Sequence, residues 1–146
     1  MPNKIFISHS HHDSETCEDI VKELKNAGIR EDSIFCTAIP DCGISENDFE
    51  KQILRNLNQS VYNIIILSQN YASSQFCQNE AGAIWYFHNC EKKVPMICLA
   101  VNKFRFKAMK GFINQHTCHF FRLSESEKAH SIRVLCRDAR EAMGLS

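Results

Sequence analysis

Residues 61–67 read Val-Tyr-Asn-Ile-Ile-Ile-Leu, and this run decides the fold. The four consecutive aliphatic residues from Ile64 to Leu67 leave no polar side of the strand for water to cover. Such a run is typical of a central strand in a parallel sheet, where helices cover both faces. The stretch therefore predicts a buried central strand.

Short apolar runs and amphipathic segments alternate on either side of this strand. The predicted strands are residues 4–8, 33–37, 61–67, 94–100 and 118–123. The first predicted helix spans residues 13–27, and the second begins near Ser45. A third begins at Ser73 or Ser74, and Ser124 caps the last. Residues 103–115 are weakly helical. This alternation favours a five-stranded parallel sheet with helices on both faces, built as one α/β domain over residues 1–146.

Ligands of such sheets bind beyond the carboxyl ends of the strands, where the strand order reverses. Three segments leave the predicted strands at that edge, namely residues 8–13, 38–44 and 68–74. Glu80 follows the last of them by less than two helical turns. The sequence therefore places Glu80 beside the expected cleft.

Glu80 also lies on a helix face that should be buried. The apolar stripe of this helix consists of Phe76, Cys77, Ala81, Ile84, Trp85 and His88. A charged carboxylate on such a stripe is costly unless it is paired or lines a pocket. A capping box does not explain it, because the residues three positions after Ser73 and Ser74 are Phe76 and Cys77. Glu80 is either a buried carboxylate satisfied by a strand amide or a lysine, or a cleft carboxylate that acts on a ligand.

Composition excludes several other classes of protein. The 17 basic and 17 acidic residues cancel, which argues against a nucleic-acid binder with a basic surface. No apolar run has membrane-spanning length, and the first residues lead directly into a strand rather than into a signal peptide. The eight cysteines form no Cys-x-x-Cys motif, and we expect a reduced, cytoplasmic protein. The histidine clusters at residues 9–12 and 116–119 lack a four-ligand spacing, so we expect no metal site.

Common nucleotide-binding and hydrolase motifs are absent as well. The sequence has no Walker loop, no G-x-G-x-x-G, no G-x-S-x-G and no H-E-x-x-H. The two helix starts after Ser10 and after Ser74 point at the predicted cleft, where backbone amides hold a pyrophosphate in other proteins. Either start is also consistent with an ordinary helix cap.

Four segments, in this order, resemble the signatures of a TIR domain. They are Ile5-Phe6-Ile7-Ser8-His9-Ser10-x-x-Asp13, Pro40-x-x-Gly43-Ile44, Ile66-Leu67-Ser68-Gln69-Asn70-Tyr71, and Ser74-x-Phe76-Cys77-x-x-Glu80. The resemblance covers nearly the whole chain and is nearest to prokaryotic stand-alone TIR domains. The family fold is a flavodoxin-like five-stranded parallel sheet, which agrees with the α/β prediction above.

The resemblance implies specific roles for several residues. Some TIR domains cleave NAD+ at the nicotinamide–ribose bond, and in those members an acidic residue on the third helix is catalytic; Glu80 matches it. The residue four positions earlier is often Trp and is Phe76 here, a change that leaves an aromatic face but removes an indole N–H. The resemblance predicts that the NAD+ substrate is bound by Ser10, His11, Asp41, Gly43, Ser74 and Phe76, with Cys42 in the same loop as Asp41 and Gly43.

Three functions remain open at this point. The first is an NAD+ glycohydrolase or ADP-ribosyl cyclase of bacterial anti-phage defence. Such an enzyme would self-associate and would need no cofactor beyond its substrate. It would signal to an effector that binds the nucleotide product. The second is a non-catalytic module that binds other TIR domains through residues 40–44. The third is a receiver-like or flavin-binding domain, although Ser8 and Ser68 stand where a receiver needs acidic residues.

Overall fold

A five-stranded parallel sheet forms the centre of the structure, which is a computed structural model. The structure describes residues 3–37, 46–90, 92–101, 103–114 and 116–145, and for residues 46–49 it describes the backbone without the side chains. The strands are β1 (Lys4–Ser8), β2 (Ile34–Thr37), β3 (Ser60–Leu67), β4 (Met96–Ala100) and β5 (Phe120–Arg122). Their order across the sheet is β2-β1-β3-β4-β5, and each neighbouring pair is parallel. The predicted flavodoxin-like α/β sheet is confirmed.

Helices cover both faces of the sheet. They are α1 (Ser14–Asn26), α2 (Glu46–Asn58), α3 (Gln69–Ser73), α4 (Gln75–Asn89) and α5 (Lys128–Ala142). Side chains alternate along β3, so Ile64 and Ile66 pack with α1 and α5, whereas Ile65 and Leu67 pack with α2 and α4. All four are fully buried, which is why this strand reads as an unbroken apolar run.

The strand order reverses beside β1. The chain leaves β1 to form the edge strand β2, and then returns past β1 to form β3 on its other side. In a doubly wound sheet this reversal opens a crevice at the carboxyl ends of the strands. Ser8 ends β1, Thr37 ends β2 and Leu67 ends β3, so these residues mark the crevice.

The helical segment after β3 differs from the prediction of one helix. Ser68 caps the short α3 by accepting a hydrogen bond from the Tyr71 amide at 3.0 Å, and Ser74 caps α4 by accepting one from the Cys77 amide at 3.1 Å. Ser74 itself is extended (φ −93°, ψ 117°), which separates the two helices. Two serine caps six residues apart thus start two helices, and the first was not predicted.

Two other helix predictions were wrong. Within residues 103–115, the described residues contain only a 3₁₀ turn at Phe106–Ala108, because Phe104, Met109 and Ile113 reach the core at spacings that do not repeat on one helical face. Ser124 does not cap the last helix. Its carbonyl instead accepts hydrogen bonds from the amides of Glu127 and Lys128, so a turn precedes α5.

Exposure differs from prediction on α4. His88 was predicted to lie on the buried stripe of this helix but is exposed, and its Nδ1 lies 3.0 Å from the carbonyl oxygen of Val94. Cys36 is exposed as well, since β2 is an edge strand. None of the described helices combines the length and apolarity that crossing a bilayer requires.

Candidate active site

Glu80 lies in the second turn of α4, on the buried side of the helix, and belongs to neither a capping motif nor an exposed surface. Its side chain is 5% exposed and shares that side with Cys77, Ala81 and Ile84. The Ser74 cap fixes where α4 begins, and therefore which residues face the sheet. The burial predicted for Glu80 is confirmed.

Two hydroxyl groups hold one oxygen of this carboxylate. Glu80 Oε1 accepts a hydrogen bond from Ser8 Oγ at 2.5 Å and lies 3.0 Å from Thr37 Oγ1, which donates either to it or to the Ile7 carbonyl. Ser8 and Thr37 are register partners at the ends of β1 and β2. The carboxylate is therefore fixed at the carboxyl ends of the strands, where the fold opens its crevice.

The second oxygen of the carboxylate, Oε2, is buried and has no hydrogen-bond partner within the described parts of the chain. The ion pairs found among those residues are Lys25–Glu31, Arg30–Asp32 and Arg137–Asp138, so none involves Glu80. The alternative of a buried carboxylate satisfied by a lysine or a strand amide is not what the described residues show. Glu80 keeps one acceptor oxygen that nothing described in the fold uses.

A buried tyrosine extends this hydrogen-bonded group. Tyr71 on α3 is fully buried, and its hydroxyl lies 2.8 Å from Ser8 Oγ. Because the Ser8 hydrogen is directed to Glu80, Tyr71 donates to Ser8. Ser68, which caps α3, donates in turn to Asp13 at the start of α1. The loops after β1 and β3 are thus joined around Glu80.

Burial changes the acidity of these groups. Removal from water raises the pKa of Glu80 to about 7, while the hydrogen bonds from Ser8 and Thr37 oppose that rise. Burial also raises the pKa of Tyr71 well above its usual range, and the nearby Glu80 charge adds to this effect. Glu80 therefore titrates near neutral pH, whereas Tyr71 stays a neutral donor.

The shifted pKa predicts how Glu80 affects stability. Because the folded-state pKa lies above the usual 4.5, the folded protein holds this proton more tightly, and its stability contribution falls as pH rises from about 4.5 to about 7. At 1.36 kcal/mol per unit, the loss is about 3 kcal/mol. The difference in unfolding free energy between Glu80→Gln and the parent protein, measured by urea denaturation, should therefore shift in favour of the variant by most of this amount between pH 5 and pH 8. If the difference between the two proteins is the same at both pH values, Glu80 does not have the raised pKa.

The structure brings four of the predicted NAD+-binding residues together. Ser10, His11, Ser74 and Phe76 line one small pocket of about 20 Å³, along with His9, Thr37 and Cys77. Thr37 also contacts Glu80, so the pocket and the carboxylate share a wall. Ser10 and Ser74 act here as caps, since Ser10 accepts from the His12 amide at 3.3 Å. Asp41, Cys42 and Gly43 lie outside the described residues.

His9 is a further polar residue of this site that the sequence did not single out. It is 4% exposed, its amide donates to Thr37 Oγ1 at 3.4 Å, and its Nδ1 has no partner within the described ranges. Burial lowers its pKa, an effect that the Ile7 carbonyl and Asp13 partly offset. His9 also lines a cleft of about 390 Å³ between α1 and β2, whose walls include Lys22 and Lys25.

Sequence reasoning found Glu80 but not the groups that hold it. Ser8, Thr37 and Tyr71 are its hydrogen-bonded neighbours in the structure. A signal was available, since Ser8 and Thr37 are polar residues that end two predicted strands at the same edge. Within the described parts of the chain, no group of three or more His, Cys, Asp or Glu side chains is placed to share a metal ion.

Known proteins resemble this chain at the level of family and fold. Residues 5–136 match the family profile described as a TIR domain. The uncharacterized protein YddK of Bacillus subtilis (strain 168) is 36% identical over 90 residues, which make up 61% of this chain and 34% of that protein. The chain thus matches about a third of the length of this relative.

A solved structure shares the fold. The TIR domains in the structure of the activated Roq1 resistosome, which directly recognizes the pathogen effector XopQ, align with a TM-score of 0.60 at 16% identity. The alignment covers 93% of this chain and 98% of that chain. At this level of identity the likeness shows the fold alone.

Proposed function

This chain belongs to the TIR domain family, and we propose that it cleaves the nicotinamide–ribose bond of NAD+, giving nicotinamide and either ADP-ribose or a cyclic ADP-ribose isomer. The observation that supports this most strongly is the state of Glu80. A carboxylate is buried at the carboxyl ends of β1 and β2, with one oxygen held by hydroxyls and the other without a partner among the described residues. Such an arrangement lowers the stability of the folded protein, and it suits a group that stabilises a developing positive charge.

The chemistry of this bond requires only one carboxylate. The nicotinamide nitrogen carries a positive charge while it is bonded to the ribose, and it becomes neutral when that bond breaks. No general acid therefore has to protonate the leaving group. The ribose carbon becomes cationic as the bond breaks. Cleavage of O-glycosides passes through a similar cation, but there a second carboxyl group is needed as the acid that protonates the leaving oxygen. In the proposed reaction, Glu80 Oε2 faces the ribose and stabilises this cation, while Ser8 and Thr37 keep Oε1 in place.

Binding requires the site to widen. The pocket beside Glu80, with a volume of about 20 Å³, admits about one water molecule, whereas small-molecule sites span roughly 300–1,000 Å³. We propose that the nicotinamide riboside half enters between the Ser10 and Ser74 helix starts. The larger cleft that shares His9 offers room and two lysines for the rest of the dinucleotide.

Phe76 is proposed to influence which product forms. It is half-buried, lines the pocket and lies one turn before Glu80. Phe76→Ala should admit water and shift output from cyclic product towards linear ADP-ribose. Chromatography of the products, together with a melting curve of the purified variant, tests this. An unchanged product ratio with a strongly lowered melting temperature would show that Phe76 only packs against the core.

Incubation of the purified protein with NAD+ tests the proposed function. We expect nicotinamide to appear in equal amount to the NAD+ consumed, at a rate per subunit that rises with protein concentration, because we propose that TIR–TIR contacts complete the site. The TIR domains that resemble this chain come from the structure of a resistosome. If no nicotinamide forms at any protein concentration, while sedimentation shows self-association, the protein is an interaction module instead.

The proposed biological role follows from the family rather than from any residue. A bacterial TIR enzyme of this kind makes a nucleotide signal, read by a separate effector, or depletes NAD+ during defence against phage. Its proposed location is the cytoplasm, where thiols stay reduced. The cysteines of the described residues, Cys17, Cys36, Cys77, Cys90, Cys98, Cys118 and Cys136, are all free.

A further inference from the structure

The fold brings together two cysteines that the sequence keeps apart. Cys98 lies in β4, and Cys118 lies two residues before β5, whose first residue, Phe120, is the register partner of Cys98. Cys118 packs against the core cluster that contains Cys98. No Cys-x-x-Cys spacing signals this pair in the sequence.

The pair is accessible from one side. Both cysteines line a pocket of about 260 Å³, along with His88, Thr117 and His119. Cys98 is 1% exposed at the base of the pocket, whereas Cys118 is only half-buried. A small oxidant that enters the pocket therefore reaches Cys118 more readily than Cys98.

From this arrangement we propose that Cys98 and Cys118 form a peroxide-sensitive thiol pair that closes into an intramolecular disulfide. Cys118 is the attacking thiol and Cys98 the resolving thiol. This modification site is separate from the Glu80 pocket, and it stands whether or not the protein cleaves NAD+.

The surroundings of Cys118 favour its thiolate. The hydrogen bond from Cys98 lowers the pKa of Cys118 to about 6, against the opposing effect of burial, and Thr117 and His88 lower it further. Thr117 Oγ1 lies 3.7 Å from Cys118 Sγ and 2.6 Å from the Phe112 carbonyl oxygen, so its single hydrogen is shared between these acceptors. The same hydrogen bond and burial raise the pKa of Cys98 well above its usual range. At neutral pH one thiol is thus ionised and the other keeps its proton.

The proposed oxidation balances in two steps. The Cys118 thiolate attacks one oxygen of hydrogen peroxide; the O–O bond breaks, and the leaving hydroxide takes up a proton, giving Cys118 sulfenic acid and water. Cys98 sulfur then attacks the Cys118 sulfur, and its proton leaves with the displaced hydroxyl as a second water. Two electrons pass from the two thiols to peroxide, and a dithiol reductant reverses the reaction.

Oxidation of this pair would change the packing of the core beside Glu80. Cys98 belongs to the same core cluster as Tyr71. Tyr71 donates to Ser8, which holds Glu80. The disulfide would thus form next to the group that positions the carboxylate.

Peptide mapping of the parent protein after hydrogen peroxide treatment tests the proposal directly. Trypsin releases Cys98 in residues 94–103 and Cys118 in residues 111–122, each as the only cysteine of its peptide. We expect these peptides to become linked, with the loss of two hydrogen atoms, and to separate again with dithiothreitol. Cys17 and Cys36 are an internal comparison, because they form a second pair of neighbouring thiols.

Two variants identify the order of events. Cys98→Ala should leave Cys118 as a sulfenic acid that dimedone traps, and should move the alkylation of Cys118 by iodoacetamide to higher pH. Cys118→Ser should leave Cys98 reduced at the same peroxide dose. Absence of the 94–103 to 111–122 link in the parent protein, at a dose that oxidises Cys36, overturns the proposal. So does dimedone labelling of Cys118 in the parent protein equal to that in Cys98→Ala.

Discussion

Replacing Glu80 with glutamine should lower the rate of nicotinamide release by about two to three orders of magnitude. Glutamine has nearly the same shape and can still accept the hydrogen bonds of Ser8 and Thr37. It removes only the negative charge that would stabilise the ribose cation. Single-turnover chromatography of nicotinamide, with enzyme in excess over NAD+, measures this loss without interference from product release.

A matched control separates the loss of this charge from the loss of any carboxylate. Glu141 is exposed on α5, far along the chain from the site, so Glu141→Gln should keep the parent rate. The melting temperature of Glu80→Gln should equal or exceed that of the parent above pH 7, because the variant buries no charge there. Turnover by Glu80→Gln close to that of the parent would contradict the catalytic role, and a large drop in stability would instead indicate a buried structural group.

Removing the Ser8 hydroxyl is expected to shift the pH dependence of kcat/KM for NAD+ to higher pH. Ser8 donates to Glu80 Oε1 at 2.5 Å, and this bond favours the charged carboxylate. A hydrogen bond to a charged group is worth about 1.5–3 kcal/mol, so Ser8→Ala should raise the pKa of Glu80 by roughly 1–2 units. At pH 7 the kcat/KM for NAD+ should fall by roughly 5- to 50-fold, and it should recover towards the parent value at about pH 9.

Ser60→Ala is the control for this substitution. Ser60 is also a buried serine in the sheet, where it begins β3, but its hydroxyl donates to the Leu57 carbonyl at 2.7 Å and does not bond to Glu80. The variant should lose comparable stability and keep the parent pH profile. If Ser8→Ala loses activity equally at every pH, Ser8 supports the fold of the site rather than the ionisation of Glu80.

The sheet and the position of Glu80 could be predicted because both depend on local patterns. Residues 64–67 are apolar in an unbroken run, which indicates burial on both faces, and Glu80 interrupts a helical apolar stripe. Burial of both was confirmed. The flavodoxin-like arrangement of the strands was implied by the family resemblance, and the position of the crevice follows from general rules of α/β topology.

The parts that were missed depend on contacts between distant segments. Tyr71, Ser8 and Glu80 meet only once α3, β1 and α4 are packed, and no spacing in the sequence encodes that meeting. The same holds for Cys98 and Cys118. Local signals also conflicted with tertiary packing after β4, where apolar residues of 103–115 reach the core from turns rather than from a helix.

The pH dependence of kcat/KM for NAD+ in the parent protein tests the central claim most directly, because it reports the ionisation of the free protein's essential group. Burial raises the pKa of Glu80 to about 7, and the proposed reaction needs the charged form. The rate constant should therefore be level at alkaline pH and halved near pH 7, and should fall tenfold per unit below about pH 6. A profile that stays level down to about pH 5, or that rises as pH falls, would contradict the assignment of a buried, charged Glu80 as the reactive carboxylate.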